Sequence, residues 1–267
     1  MAGIAVVRRV RVLTDGHRVV IFGFLPQNLK TGAVAVAFSM AWREAGVDSD
    51  DGEHRARGLL AAFRGELYQC LTARSDALFE LADAVLCAAG PVRVLAGLSL
   101  EPEYRRGHGA LYDAVNCGRV DPARLRWPLA ALPLPAWEDG RIRLAVDVSN
   151  WLRPDAATSP ERLFCHCYGR GKNSAQMIPG WPYSFVAALE PGRTSWTRLL
   201  DAIRLGPGDD LAAVTAAQVR EVVQRLIEAG HWHDGDPDIL VIFDAGRVSE
   251  KRCEGVIDQR QCPRSRG

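Results

Sequence analysis

The sequence predicts an α/β protein whose sheet is assembled late in the chain, over residues 141–246. Three observations carry that expectation. First, Arg141-Ile-Arg-Leu-Ala-Val-Asp147-Val reads as a strand. Its Ile142, Leu144, Val146 and Val148 point to one face, and Arg141, Arg143, Ala145 and Asp147 to the other. Second, Ile239-Leu-Val-Ile-Phe-Asp244 runs through five apolar residues into Asp244-Ala-Gly246, the pattern of a strand covered on both faces. Third, two stretches between them have helical spacing: Trp196, Leu199, Leu200 and Ile203, then Val219, Val222, Val223, Leu226 and Ile227.

The remaining elements follow in order. Residues 1–60 form an ill-defined N-terminal segment. Residues 18–24 suit a strand, 33–45 suit a helix, and 49–54 make a polar break. Residues 61–137 form a helical region. Leu67, Leu71, Leu78, Leu81, Val85 and Leu86 place a helix over 59–88, closed by Ala89-Gly-Pro91. Arg105, Arg106 and His108 beside Tyr104 and Tyr112 could grip a phosphate backbone, and read equally as a solvated loop and helix start. Asp121-Pro122 has the form of an N-cap followed by proline at the first helical position. Residues 127–137, with three prolines, read as a linker.

Residues 138–246 hold the core. After the first strand and a connection from Asn150 to Pro160, 163–168 reads as a second strand. A long loop carries Gly169-Arg-Gly-Lys172 and residues 177–182. Arg170 and Lys172 between glycines could approach phosphates, and a plain flexible loop fits as well. Residues 183–189 make a third strand, so the three form an antiparallel meander. Thr215-Ala-Ala-Gln218 has the form of a capping box, and Gly230 stops that helix. Three antiparallel strands, helices and a parallel strand make the opening portion of a ribonuclease H-like fold, here incomplete. In its strand order 3-2-1-4-5 the first and fourth strands are neighbours, by fold analogy. Asp147 and Asp244 then meet at one end of the sheet, where open α/β sheets place ligands. Paired carboxylates suit magnesium or manganese.

Composition bounds the rest. The chain has 267 residues, 48% of them apolar, and a formal net charge of +1. That balance by itself predicts neither nucleic-acid nor membrane binding. Only Lys30, Lys172 and Lys251 stand against many arginines. Seven cysteines without regular spacing argue against a disulfide framework and fit a reducing cytoplasm. Cys165-His-Cys167 lacks a second ligand pair at zinc spacing, so ordinary cysteines are the expectation there. No apolar run reaches the roughly 18 residues of a membrane span. Arginines follow, rather than precede, the apolar start, the reverse of a signal peptide.

Several long runs resemble a known family. They are Asp147-Val-Ser-Asn-Trp-Leu-Arg-Pro-Asp-Ala156, Phe164-Cys-His-Cys-Tyr-Gly-Arg-Gly-Lys172, Gly180-Trp-Pro-Tyr-Ser184 and Asp238-Ile-Leu-Val-Ile-Phe-Asp-Ala-Gly246. Upstream, residues 66–83 and Arg105-Arg-Gly-His-Gly-Ala-Leu-Tyr-Asp113 join them. Together, over about residues 63–246, they look like a DDE-type transposase of bacterial insertion sequences, of the DDE superfamily endonuclease group. The resemblance implies two aspartates and a later glutamate holding two Mg2+ or Mn2+ ions about 4 Å apart, to cut and rejoin DNA at element ends. By resemblance Asp147 is the first carboxylate and Asp244 the second. Arg105, Arg106, Arg170 and Lys172 are the candidate DNA contacts. A second copy of the chain or a full-length transposase is an expected partner.

Residues 247–267 form a short polar tail that does not look like the family. Glu250 and Glu254 are carboxylates there, and nothing places them on the helix that carries the family's glutamate. The expectation is a truncated or frame-shifted copy, catalytically incomplete. Its strand at 239–243 would lack an outer neighbour, leaving a sheet edge open and solubility poor. Two other classes compete. One is a non-catalytic DNA-binding or dimerising remnant. The other is an actin-like ATPase or sugar kinase, suggested by Asp244-Ala-Gly246 and opposed by Val-Ser-Asn after Asp147, which lacks the glycine of a phosphate loop.

Overall fold

A computed structural model describes residues 2–7, 10–14, 50–89, 92, 94–167, 176–192 and 197–243. The expected strand at 18–24, the helix at 33–45, the loop with Arg170 and Lys172, Asp244 and the tail with Glu250 and Glu254 lie outside these residues. The chain divides into two units, one from Met1–Ile21 with Pro135–Gly267 and one from Phe22–Leu134.

The second unit is mainly helical. It holds α1 (Asp50–Cys70), β3 (Leu71–Ala73), α2 (Ser75–Cys87), a 3-10 turn (Leu95–Leu100), α3 (His108–Cys117), β4 (Arg119–Val120) and α4 (Pro122–Ala131). The single helix expected over 59–88 is thus two. Leu71 leaves the helical path to pair with Val120, and Arg74 turns the chain in the left-handed region at φ 54°. Leu67, Leu71 and Leu78 still share one buried core with Phe63, Val120 and Leu125. Apolar period alone could not show the break, because both halves face that core. The expected polar break at 49–54 falls largely inside α1. Asp121 caps α4 as expected, its Oδ1 accepting from the N–H groups of Ala123 at 3.0 Å and Arg124 at 3.1 Å. Part of the expected linker, from Trp127 onward, belongs to α4.

The other unit is a twisted sheet. Its strands are β1 (Ala2–Val7), β2 (Val10–Thr14), β5 (Arg143–Leu152), β6 (Leu163–Cys167), β7 (Gln176–Leu189), β8 (Thr197–Arg204) and β9 (Ile239–Phe243). One helix, α5 (Leu211–Glu228), packs on β7 and β8. The order is β2-β1-β9-β5-β7, with β6 and β8 both along the outer edge of β7. β6 pairs with residues 176–180 of β7 and β8 with residues 183–189. A meander in chain order would set the second strand against the first. Instead β7, at 14 residues, is long enough to take β5 on one edge and both β6 and β8 on the other.

Two expected elements change type here. Residues 177–182, read as a loop for their prolines and glycine, are strand. The carbonyls of Pro179 and Pro182 remain available, accepting from Arg153 N–H at 2.7 Å and Leu205 N–H at 2.9 Å. Residues 197–204, read as helix, are β8. A register shift between Val186 and Ala187 leaves Leu200 as an extra residue, and Leu199 and Leu200 are both buried. A bulge in an alternating strand puts two apolar residues side by side, which mimics the i, i+3, i+4 pattern of a helix. α5 starts earlier than the Thr215 capping box, at Asp210, whose Oδ1 accepts from Ala212 N–H at 3.0 Å. Gly230, just past its end, takes φ +80°.

β9 is not left at an open edge. β1 pairs with it antiparallel over five registered pairs, from Gly3↔Phe243 to Val7↔Ile239. The expectation of an uncovered outer edge is therefore corrected.

Candidate active site

β5 and β9 lie side by side and run parallel. Their register is Arg143↔Leu240, Leu144↔Val241, Ala145↔Ile242 and Val146↔Phe243. The residue that follows each member of the last pair is an aspartate, Asp147 in one strand and Asp244 in the other. Adjacent strands run about 4.8 Å apart. Asp147 is half-buried and sits in mid-strand, since β5 continues to Leu152. The first three residues of the connection expected from Asn150 to Pro160 are thus strand, held only by β7 among the described residues.

Both faces of β5 are anchored. Alternation puts Arg143, Ala145, Asp147 and Ser149 on one face. There the Arg143 guanidinium stacks over Trp137 at 3.8 Å and donates to Asp139 at 2.9 Å. Trp137 Nε1 donates to the Leu189 carbonyl at 2.9 Å. The Arg141 N–H, followed by the Arg143 guanidinium, holds the Asp139 carboxyl below the usual carboxylate range. On the other face Leu144, Val146 and Val186 are buried. α5 closes that side. Arg225 donates to Asp201 at 2.9 Å, with both side chains buried, and Gln218 Nε2 donates to the Ser184 carbonyl at 3.1 Å. Arg198 is buried in β8, and that burial pushes its guanidinium down to about 10.

The basic candidates of the helical unit have carboxylate neighbours. Arg106 Nη2 lies 3.2 Å from Asp76, and its Nε lies 3.3 Å from Glu80. Tyr68 Oη donates to Asp76 at 2.6 Å, which raises the phenol's pKa. Arg105 is exposed, and its backbone N–H donates to Glu80 at 3.3 Å. His108 packs edge-on against Tyr112. Sequence reasoning noted the cations and missed Asp76 and Glu80, which α2 brings in from about thirty residues upstream.

Among the described residues no three His, Cys, Asp or Glu side chains gather closely enough to hold a metal ion. Cys165 is buried in β6, and Cys167 Sγ donates to its carbonyl at 3.7 Å. No described helix is long and apolar enough to cross a membrane.

A family model described as DDE superfamily endonuclease matches residues 66–261. The match runs past Gly246 to residue 261, so it takes in most of the tail that was expected not to look like the family. No curated protein and no solved structure matches the chain.

Proposed function

Because the chain belongs to the DDE superfamily endonuclease family, we propose that it is a transposase-type endonuclease acting on DNA at insertion-sequence ends, with Asp147 and Asp244 as metal-holding carboxylates. The observation that carries this reading is the parallel β5–β9 pair, whose register stops one residue short of both aspartates. The order β8-β7-β5-β9 also fits strands 3-2-1-4 of a ribonuclease H-like sheet, with β6 as an added edge piece. Carboxylate oxygens at a strand end are the hard donors that magnesium or manganese takes. Bound there, such ions supply Lewis-acid stabilisation of charge developing on a phosphodiester.

The chain's own residues set the frame for that chemistry. Pairing with β7 fixes the place of Asp147 in the sheet, and the Trp137–Arg143–Asp139 cluster stiffens the strand four residues before it. Two carboxylates leave most of an octahedral shell open. Glu250 and Glu254, both inside the matched span, are the carboxylates we assign first to complete it. Arg105, Arg106, Arg170 and Lys172 remain the proposed phosphate contacts. The Arg106 charge is partly offset by Asp76 and Glu80, so Arg105 is the stronger of that pair.

The test is nicking of supercoiled plasmid in Mn2+ or Mg2+, beside a direct measurement of Mn2+ binding by electron paramagnetic resonance. Because the matched span takes in Glu250 and Glu254, this reading departs from the expectation of a catalytically incomplete copy: nicking is expected in the native chain and falls to background in Asp147→Asn, which also binds Mn2+ more weakly. Equal nicking in the variant removes Asp147 from the site. DNA binding without nicking in either protein would make the chain a binding remnant instead.

A further inference from the structure

The sheet face that carries Asp147 does not end with the buried core. β5 pairs with β7 without a register shift, so opposed residues share a face. Asp147 stands opposite Phe185, Ser149 opposite Tyr183, and Trp151 opposite Trp181. The β6–β7 ladder continues the same face, with Phe164 opposite Pro179. Exposure rises along this line. Phe185 is buried, Tyr183, Trp151 and Trp181 are partly buried, and Phe164 is 52% exposed. The Arg162 guanidinium lies over the Phe164 ring at 5.4 Å, and its Nη1 donates to the Ser159 carbonyl at 3.0 Å. A row of rings, topped by a stacked arginine, thus leads away from the carboxylate on one side of the sheet.

We propose that Trp151, Trp181 and Phe164 form a stacking platform for unpaired bases of the DNA strand whose phosphodiester is presented at Asp147. The proposal rests on the endonuclease reading above and names the form of substrate that the site takes. Trp151 and Trp181 face each other across the β5–β7 pair, and Phe164 sits one same-face step further, opposite Pro179; such a step, about 6.8 Å along a strand, suits bases unstacked along an extended nucleic-acid backbone. Large rings left in water cost free energy, and every base offers a flat face to cover them. Paired bases hide those faces inside the duplex, so the platform requires a frayed or displaced end. Arginine over an aromatic ring suits a nucleic acid better than an apolar protein partner, because the cation also faces phosphate.

The experiment compares two duplexes of one sequence by fluorescence anisotropy, with Ca2+ in place of a catalytic ion. One is blunt, and the other ends in a short unpaired stretch. The native chain binds the frayed end more tightly. Phe164→Ala lowers that affinity on the order of tenfold, about one lost base–ring stack, and leaves blunt-duplex binding unchanged. Phe164→Trp retains it. Phe164 is exposed, so its replacement spares the core, and unchanged circular dichroism checks this. No preference of the native chain for the frayed end overturns the proposal. So does full affinity in Phe164→Leu, which keeps apolar area without a ring. Self-association lost in Phe164→Ala, with DNA binding unchanged, would assign the face to a second copy. Metal-dependent nicking abolished by Asp147→Asn would still hold in each of these cases, so the platform fails separately from the endonuclease reading.

Discussion

Gly180 shows how one residue sets the packing where β5, β6 and β7 meet. It pairs with Leu152 on one side and Leu163 on the other. A Cβ there would lie 2.3 Å from the Trp151 carbonyl oxygen, inside any allowed contact. The nearest atoms are all backbone of Trp151 and Leu152, so no flexible side chain is there to yield. Gly180→Ala should therefore destabilise the protein by about 1–3 kcal/mol, as forced overpacking does, read from the midpoint of urea unfolding. The cysteines give a second check at this scale. Cys70 is fully buried, and burial pushes its thiol pKa up, whereas Cys117 is exposed. Fewer thiolates and no access both slow alkylation. Brief iodoacetamide treatment of the native chain at pH 8, read by peptide mass mapping, should label Cys117 and spare Cys70 until denaturant is added.

α5 is held to the sheet by polar contacts set in an apolar layer. Val219, Val222, Val223 and Leu226 supply the buried stripe. Gln218 and Arg225 on the same helix reach down to Ser184 and Asp201. Arg225 and Asp201 are each almost wholly removed from water. Breaking such a pair at Asp201 leaves the buried Arg225 charge facing Glu221, which lies 3.7 Å away and is largely exposed, a weaker compensation. Asp201→Ala should cost about 3–5 kcal/mol, while replacing both partners by apolar residues of similar size should recover most of it. Thermal or urea unfolding of the two variants decides this, and equal losses would show that the pair's own attraction, not desolvation, dominates.

Across the sheet unit, the first and last strands among the described residues come together. β1 covers the edge of β9, the strand that leads to Asp244. β2 then covers β1. Deleting residues 1–14 should uncover the N–H and C=O groups along the 239–243 edge and the neighbouring apolar surface. Light scattering at micromolar concentration should rise in the deleted chain, and its nicking should fall because β9 no longer holds its register. A deleted chain that stays monodisperse would show the edge to be protected by other means.

Sequence alone determined the two aspartate strands, the Asp121 cap, the α5 stripe and the family. Each rests on local information: strict alternation, an unbroken apolar run, a cap dipeptide, or long matching motifs. Parallel neighbours β5 and β9 were also legible, through fold analogy, and the structure bears that pairing out. Tertiary structure decided the rest. Whether 197–204 was helix or bulged strand depended on β7 being there to pair with it. Whether 177–182 was loop or strand depended on β5 and β6 flanking its prolines. The N-terminal strand had no readable pattern of its own, and its place was set by the vacant edge of β9. Strand pairing is a contact between distant residues, and period along the chain carries no information about which edge a strand will meet.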